Sequence, residues 1–264
     1  MNTRQRRLIL ASGMLLYLPM QAVQATPNHL EPIAPYDSLE TGYHQAVFTS
    51  LVGKYWTSLW MIERPSFLEE YAVVLRYDDE YDPNGTRPTG KPQAKRGQWY
   101  VERVAPREKI WRWKAIDDVH LELDIKPTED VERHRAYLTE DFAKTLREAW
   151  LTTLQLTRYA ENRLKGLDGT TLEFCYDGLF GQTWSPQTGL PAMLTDLGRK
   201  LSSIALSEEK NRAWLLAEAD SLARKIAKEA EAEQIRLFGR KMSHFTEASL
   251  LSRVRRESQT KEAR

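Results

Sequence analysis

Cysteine is nearly absent from this chain, which has 264 residues and a single cysteine, Cys175. One cysteine cannot form an intramolecular disulfide, so the fold depends on its hydrophobic core. Hydrophobic residues make up 41% of the chain and charged residues 28%. That composition is typical of a folded globular protein. Cys175 lies in an alternating apolar segment, where we expect a small buried side chain.

A large excess of charge of either sign is also absent. The chain has 38 basic and 37 acidic side chains. Its first 25 residues contain three arginines and no acidic residue, which leaves 35 basic against 37 acidic groups in the remainder. Without a large basic field, nucleic acid is not the expected partner.

Motifs of the common catalytic, metal and cofactor sites are missing. The chain contains no HExxH, GxSxG, P-loop or GxGxxG pattern. Its five histidines have neither zinc-ligand spacing nor cysteine partners. We therefore expect no catalytic residue, no cofactor and no metal. This favours a protein that is not an enzyme, although the motifs alone do not decide it.

An acidic segment around residue 80 invites a calcium interpretation. Placing Glu80 at the first position of an EF-hand loop puts Lys91 at the twelfth, where a bidentate glutamate is required. The EF-hand pattern therefore fails. A looser calcium loop stays an alternative to the favoured interpretation, which is a solvated acidic loop.

Long hydrophobic runs are absent except near the N-terminus. Three arginines precede an apolar run over residues 8–18, which is too short to span a bilayer. Pro19 ends the run, and residues 23–25 (VQA) place small side chains at the −3 and −1 positions of a cleavage site. The pattern predicts a signal peptide over residues 1–25 that is cleaved after Ala25.

Export gives the mature chain a periplasmic or secreted location, with no transmembrane segment after cleavage. The general secretory route fits the apolar run best. A twin-arginine route, suggested by Arg6 and Arg7, is the second choice. A buried N-terminal helix is the structural alternative.

Strand patterns occupy the middle of the chain. Alternating or β-branched segments predict six strands, over residues 71–77, 98–104, 109–116, 119–125, 171–176 and 179–184. Asp117-Asp118 and Asp177-Gly178 are the expected hairpin turns, the second of which places Trp184 opposite Thr171. Residues 78–97 form a long loop, and residues 42–61 fit helix and strand equally well.

Helix patterns follow the strands. Thr139 is the expected N-cap of a helix whose first turn contains Glu140 and Asp141. Pro191 begins a second helix with leucines at spacings of three and four. A long C-terminal helix covers residues 207–245, and a charged tail covers residues 246–264.

These patterns predict one α+β domain over residues 26–264. Its core is an antiparallel sheet of about five to six strands in hairpins, packed with three or more helices.

Tryptophan is the unusual component, with eight residues, five of them between residues 56 and 113. A symmetric turn at Asp117-Asp118 pairs residues whose numbers sum to 235, so Trp111 lies opposite Asp124 and Trp113 opposite Glu122. Five residues then share one face of the hairpin: Trp111, Trp113, His120, Glu122 and Asp124. Such a face suits sugar stacking or protein contact. Its alternative is that the tryptophans belong to the core, and a register slip of one residue would exchange the two faces.

Glu122 and Asp124 also form a carboxylate pair. On one strand face their Cα atoms lie about 6.5–7 Å apart, a spacing compatible with glycoside hydrolysis. Any alternating acidic strand produces this spacing, so the pair by itself discriminates little.

The segment from Trp150 to Leu201 contains WLTTLQLTRY, GLDGTTLEF and GQTWSP, followed by a leucine-spaced helix. It resembles a segment of uncharacterised exported proteins of Gram-negative bacteria. The segment covers about a fifth of the chain. No activity comes with the resemblance, so no functional residue is carried over. A scaffold role accounts for the same residues.

The sequence therefore predicts an exported, non-catalytic periplasmic protein that binds another macromolecule in the envelope, as an immunity or adaptor protein does. The partner we expect is a protein, with a glycan as the second choice. The alternative function is an envelope glycan-binding module or glycan hydrolase that uses the Trp111/Trp113 face. A passive structural protein is a third interpretation.

Overall fold

The computed structural model describes residues 29–33, 38–53, 58–66, 68–78, 97–115, 121–159 and 169–239. The predicted signal peptide, the acidic segment near residue 80, the Asp117-Asp118 turn and the charged tail lie outside the described residues. Among the residues described, no helix is long and apolar enough to cross a bilayer.

The described residues form four helices and eight strands. The helices are α1 (Ser38–Leu51), α2 (Glu140–Leu154), α3 (Gly189–Leu206) and α4 (Arg212–Phe238). The strands are β1 (Leu59–Pro65), β2 (Tyr71–Asp78), β3 (Gln98–Pro106), β4 (Trp111–Ala115), β5 (Leu121–Ile125), β6 (Val131–Tyr137), β7 (Thr170–Tyr176) and β8 (Leu179–Trp184). A 3-10 turn, Glu209–Asn211, precedes α4.

Six strands form one antiparallel sheet in the order β6-β3-β2-β1-β7-β8. The predicted α+β class, with an antiparallel sheet and a long C-terminal helix, is confirmed. The membership of the sheet differs from the prediction. Strands β4 and β5 pair with each other as a separate two-stranded sheet. The central sheet reaches six strands through β1 and β6, which the sequence patterns did not predict.

Helices α2 and α3 pack on one face of the sheet, which we call the helix-covered face, and α4 packs on these two helices. Thr139 caps α2 by accepting a hydrogen bond from the backbone N–H of Phe142 at 3.2 Å, as predicted. Regularly spaced apolar side chains of α2 and α3 are buried, because they face the sheet. They are Phe142, Leu146, Ala149, Trp150 and Leu154 on α2, and Leu194, Leu197, Leu201 and Ile204 on α3.

The long helix α4 lies against α2 and α3. Three of its buried residues are alanines, which allow the helix axes to approach closely: Ala219, Ala223 and Ala230. Leu237, in the last turn of the helix, is 37% exposed. The helix ends at Phe238, and the following Gly239 caps it with a left-handed φ of 67°.

Helix α1 packs on the opposite face, which we call the α1-covered face. The undecided residues 42–61 divide between α1 and the start of β1. Phe48 of α1 contacts Trp60 of β1, with ring centroids 5.7 Å apart. Ile110 is buried in the same small core and Ile125 packs against its edge, so the β4–β5 hairpin closes this core at its margin.

The β7–β8 hairpin has the predicted register, with Thr171 opposite Trp184. Asp177 and Gly178 occupy the turn with φ values of 54° and 76°, a left-handed geometry that suits this two-residue sequence. Gly169 lies against the Trp184 ring, and a Cβ at that position would come within 2.4 Å of ring atoms. This contact gives two residues of the GLDGTT and GQTWSP motifs a structural role.

Candidate binding site

The predicted tryptophan-and-carboxylate face depends on the register of the β4–β5 hairpin, and the predicted register is wrong. Trp111 pairs with Ile125, and Trp113 pairs with Leu123. Paired residue numbers sum to 236 instead of 235. Directly paired residues share a face, so positions 111 and 113 fall on one face of the ribbon and positions 122 and 124 on the other.

The individual residues of that predicted face are placed as follows. Trp111 is half-buried, with Lys109 Nζ 5.5 Å from its ring centroid. Asp124 lies 3.6 Å from Lys126 Nζ. The side chains of Trp113 and Glu122 and the whole of His120 lie outside the described residues. The structure therefore does not bring Trp111 and Asp124 together.

A different cluster of charged residues lies on the α1-covered face, at the β6 end of the sheet. In the register, Glu102 of β3 is flanked by Val74 of β2 and Arg135 of β6. Alternation along the strands places Arg76 and Arg133 on the same face. The guanidinium groups of Arg76, Arg133 and Arg135 therefore lie around the carboxylate of Glu102.

The Glu102 carboxylate is fully buried and is held by all three arginines. Arg135 Nε donates to Oε1 at 2.6 Å, and Arg133 Nη1 donates to Oε2 at 3.1 Å. Arg76 Nη2 lies 2.9 Å from Oε2. Burial alone would lower the pKa of Arg135, but the neighbouring Glu102 carboxylate outweighs burial and raises it. The Arg135 guanidinium is therefore charged at neutral pH.

These arginines line a pocket of about 350 Å³ between the sheet and the C-terminal end of α1. We call it the arginine pocket; its other lining residues are Thr49, Ser50, Val52 and Gly53. Arg76 is buried, whereas the side chains of Arg133 and Arg135 are 38% and 50% exposed. Three positive charges facing one negative charge leave the pocket with two in excess. Its chemistry therefore suits an anionic group.

A second polar cluster lies under the N-terminal half of α1, on the same face of the sheet. Nδ1 of His44 donates to Oε1 of Glu173 at 3.1 Å, and Arg64 donates to the same oxygen. Tyr43 donates to Oε1 of Glu70. The Arg64 guanidinium also lies over the Tyr43 ring, 5.6 Å from its centroid. These contacts tie α1 to β1, β7 and the residue before β2.

Burial in this second cluster is nearly complete for both carboxylates. Burial alone would raise the pKa of Glu173, but the His44 hydrogen bond and the Arg64 charge hold it below its usual value. Oε2 of Glu173 and Oε2 of Glu70 are buried without a hydrogen-bond partner in the structure. Within the described part of the chain, no three histidine, cysteine or acidic side chains are grouped closely enough to hold a metal ion.

Cys175 lies next to this second cluster along β7 and is fully buried, as expected. Burial raises the pKa of its thiol to about 12. The thiol is therefore protonated at neutral pH, and thiolate chemistry has no support at this position.

The residues of the arginine pocket were not singled out from the sequence. Arg133 and Arg135 alternate along VERHRAY, a segment with as many charged as apolar side chains, which the sequence does not predict as a strand. Alternating arginines before a helix N-cap are the signal that could have identified it. Arg76 and Glu102 lie on predicted strands, but only the strand order shows that they meet.

Comparison with known proteins adds no relative to this description: no protein-family model, curated protein or solved structure matches the chain. The fold is that of an α+β protein. Among the features of the described residues, the arginine pocket has the clearest binding chemistry, because it suits an anionic group.

Proposed function

We propose that this chain is an exported, non-catalytic protein that binds a macromolecular partner in the bacterial envelope by receiving an acidic group in the arginine pocket. The observation that carries the proposal is the excess of guanidinium groups over carboxylates in a pocket that is open to solvent. Export is supported by the residue pattern of the first 25 residues. A protein partner presenting glutamate or aspartate is the form we favour.

The pocket contains more positive charge than is required to neutralise the Glu102 carboxylate. Arg76, with 8% of its side chain exposed, already lies beside the buried Glu102 carboxylate. Arg133 and Arg135 add two further charges at the solvent side, although burying charge without compensation is costly. Each guanidinium has five N–H donors, and the contacts with Glu102 use one N–H of Arg133 and one of Arg135. The other donors can therefore bind a second carboxylate.

Recognition by this pocket is electrostatic and directional. An arginine fork binds a carboxylate through two parallel hydrogen bonds, which adds orientation to charge attraction. Both outer arginines are partly exposed, so salt weakens the attraction. We therefore expect partner binding that is stoichiometric and decreases as ionic strength rises.

The test is capture of partners from periplasmic extract by the tagged chain beginning at Thr26, the predicted mature form. It is carried out in parallel with Arg135→Gln and with Arg199→Gln as the matched control. The control is well matched because Arg199 is 52% exposed and, like Arg135, binds a buried glutamate, in its case Glu63. Arg199, however, projects from α3 on the helix-covered face.

The proposal expects one dominant stoichiometric partner that the wild-type chain and Arg199→Gln retain and that Arg135→Gln loses. Capture that is equal in all three proteins would place the interface elsewhere. Circular dichroism of each protein shows whether the fold is intact before the comparison is made. A chain that captures no partner at low salt would contradict the proposal.

A further inference from the structure

Strand β6 forms one edge of the central sheet. Its inner side pairs with β3 from Tyr100↔Tyr137 to Pro106↔Val131. In the part of the chain that the structure describes, no strand pairs with its other side. An edge of this kind presents backbone N–H and C=O groups to which a further strand can bind.

Alternation in the β3–β6 ladder shows which backbone groups face outward. Next to the ladder, Leu138 N donates to Trp99 O at 2.8 Å and Arg107 N donates to Asp130 O at 3.1 Å. In an antiparallel pair the hydrogen-bonded positions recur at every second residue. Even-numbered β6 residues therefore bond to β3, and the backbone groups of residues 133, 135 and 137 point away from the sheet, whereas the Val131 N–H donates to Glu129 O at 3.0 Å.

We propose that the partner presents an extended acidic segment that adds to β6 as a seventh strand and places its carboxylates in the arginine pocket. This inference rests on the proposed function and specifies the form of the partner. The same two residues, Arg133 and Arg135, supply outward backbone groups and pocket side chains. Backbone pairing gives such a complex affinity, and alternate side chains give it specificity.

The side chains of β6 define the sequence that fits. Residues directly opposite each other in a sheet share a face, with Cβ atoms about 5 Å apart. Val131, Arg133, Arg135 and Tyr137 follow one another along the α1-covered face. The matching segment therefore has two acidic residues, two positions apart, flanked by apolar residues at the next alternate positions.

Charge complementarity selects this occupant over a second copy of the chain. If two β6 strands paired with each other antiparallel about His134, Arg133 of one copy would lie opposite Arg135 of the other. Like charges directly opposite each other destabilise a strand pair. An acidic segment instead brings opposite charges together at both positions.

The experiment uses three synthetic peptides with capped ends, all with the sequence VTETETV. One is unmodified, and one carries N-methyl groups on its two glutamates, which removes the amide donors that would face β6. The third carries N-methyl groups on its second and third threonines, whose amides would face solvent. Binding to the chain beginning at Thr26, and to its Arg135→Gln and Arg199→Gln variants, is measured by titration calorimetry at low salt.

Strand addition predicts that methylation of the glutamates weakens binding about tenfold or more, whereas methylation of the threonines leaves it within about twofold. Amide hydrogen exchange of Arg133, Arg135 and Tyr137 should slow when the unmodified peptide is bound. Arg135→Gln should weaken binding, and Arg199→Gln should not.

Two results would overturn the inference. If both methylated peptides bind as the parent does while Arg135→Gln still weakens binding, the pocket binds acid without strand addition and the proposed function stands. If no peptide binds, or if binding does not depend on Arg135, strand addition at β6 is wrong. Capture from extract then decides the proposed function independently.

Discussion

The two faces of the central sheet are covered differently. The helix-covered face buries an almost continuous apolar core, whose residues come from α2, α3, α4 and every strand of the sheet except β8. The α1-covered face buries a smaller core with a charged or polar cluster on each side of it. One cluster surrounds Glu102 and the other surrounds Glu173. Since apolar burial is the main source of folding free energy, the first face contributes most of the stability, and the second combines a smaller core with charged groups.

The largest difference between the faces should come from deleting a core aromatic ring. Phe174 is fully buried on the helix-covered face, 6.0 Å from the Trp150 ring. Phe174→Ala should lower the free energy of unfolding by about 4 kcal/mol, measured by urea denaturation. Phe180 lies on the other face and is 38% exposed, so Phe180→Ala should cost less than about 1 kcal/mol. Equal losses would contradict the distinction.

The next effect should come from the buried charge of the arginine pocket. Glu102→Gln leaves three arginines without their shared carboxylate, and we expect a loss of about 3 kcal/mol in unfolding free energy. Glu132 lies on the same edge strand as Arg133 but is 55% exposed. Glu132→Gln should therefore stay within about 0.5 kcal/mol of wild type. A Glu102→Gln protein as stable as Glu132→Gln would show that the carboxylate does not hold the arginines.

The second cluster should contribute a pH dependence. Because the pKa of Glu173 is lowered in the folded chain from its usual value of 4.5, its ionised form stabilises the fold above that pH. This contribution is lost as the pH falls further, through the folded pKa. Urea denaturation at pH 7 and at pH 3.5 should show a smaller acid loss for Glu173→Gln than for wild type. Equal acid losses would contradict the assignment.

The smallest change in unfolding free energy should come from removing the N-cap of α2, on the helix-covered face. Thr139→Ala removes the hydroxyl that caps α2 and should cost about 1 kcal/mol in unfolding free energy. Thr139→Ser keeps a capping oxygen, so thermal denaturation should place it close to wild type. Both variants should leave partner capture unchanged. A Thr139→Ala protein with wild-type stability would show that the cap adds nothing.

The sequence predicted local structure better than it predicted pairing. Thr139 marked the start of α2, and Asp177-Gly178 marked the β7–β8 turn, because caps and tight turns depend on a few adjacent residues. The sequence does not distinguish helix from strand at the start of β1, because Trp60, Met61 and Ile62 are all buried. A strand buried on both faces has an apolar run without alternation, which does not distinguish it from a helix.

The candidate site was missed for a related reason. Strand β6 is an edge strand, whose charges protect it from aggregation and hide its strand pattern. The predicted hairpin register is wrong by a single residue. Such a slip moves every position of β5 to the other face relative to β4. The arginine pocket joins residues from β2, β3 and β6, so it becomes visible only with the order of the strands.

The most direct test of the central claim is the affinity of the chain for poly-L-glutamate, measured by titration calorimetry for wild type, Arg135→Gln and Arg199→Gln at low salt. The two arginines have similar exposure and similar glutamate partners but lie on opposite faces. We expect Arg135→Gln to weaken binding by about fivefold or more, since a charged hydrogen bond is lost, and Arg199→Gln to match wild type. Equal affinity in all three proteins would contradict the claim that the arginine pocket receives an acidic group.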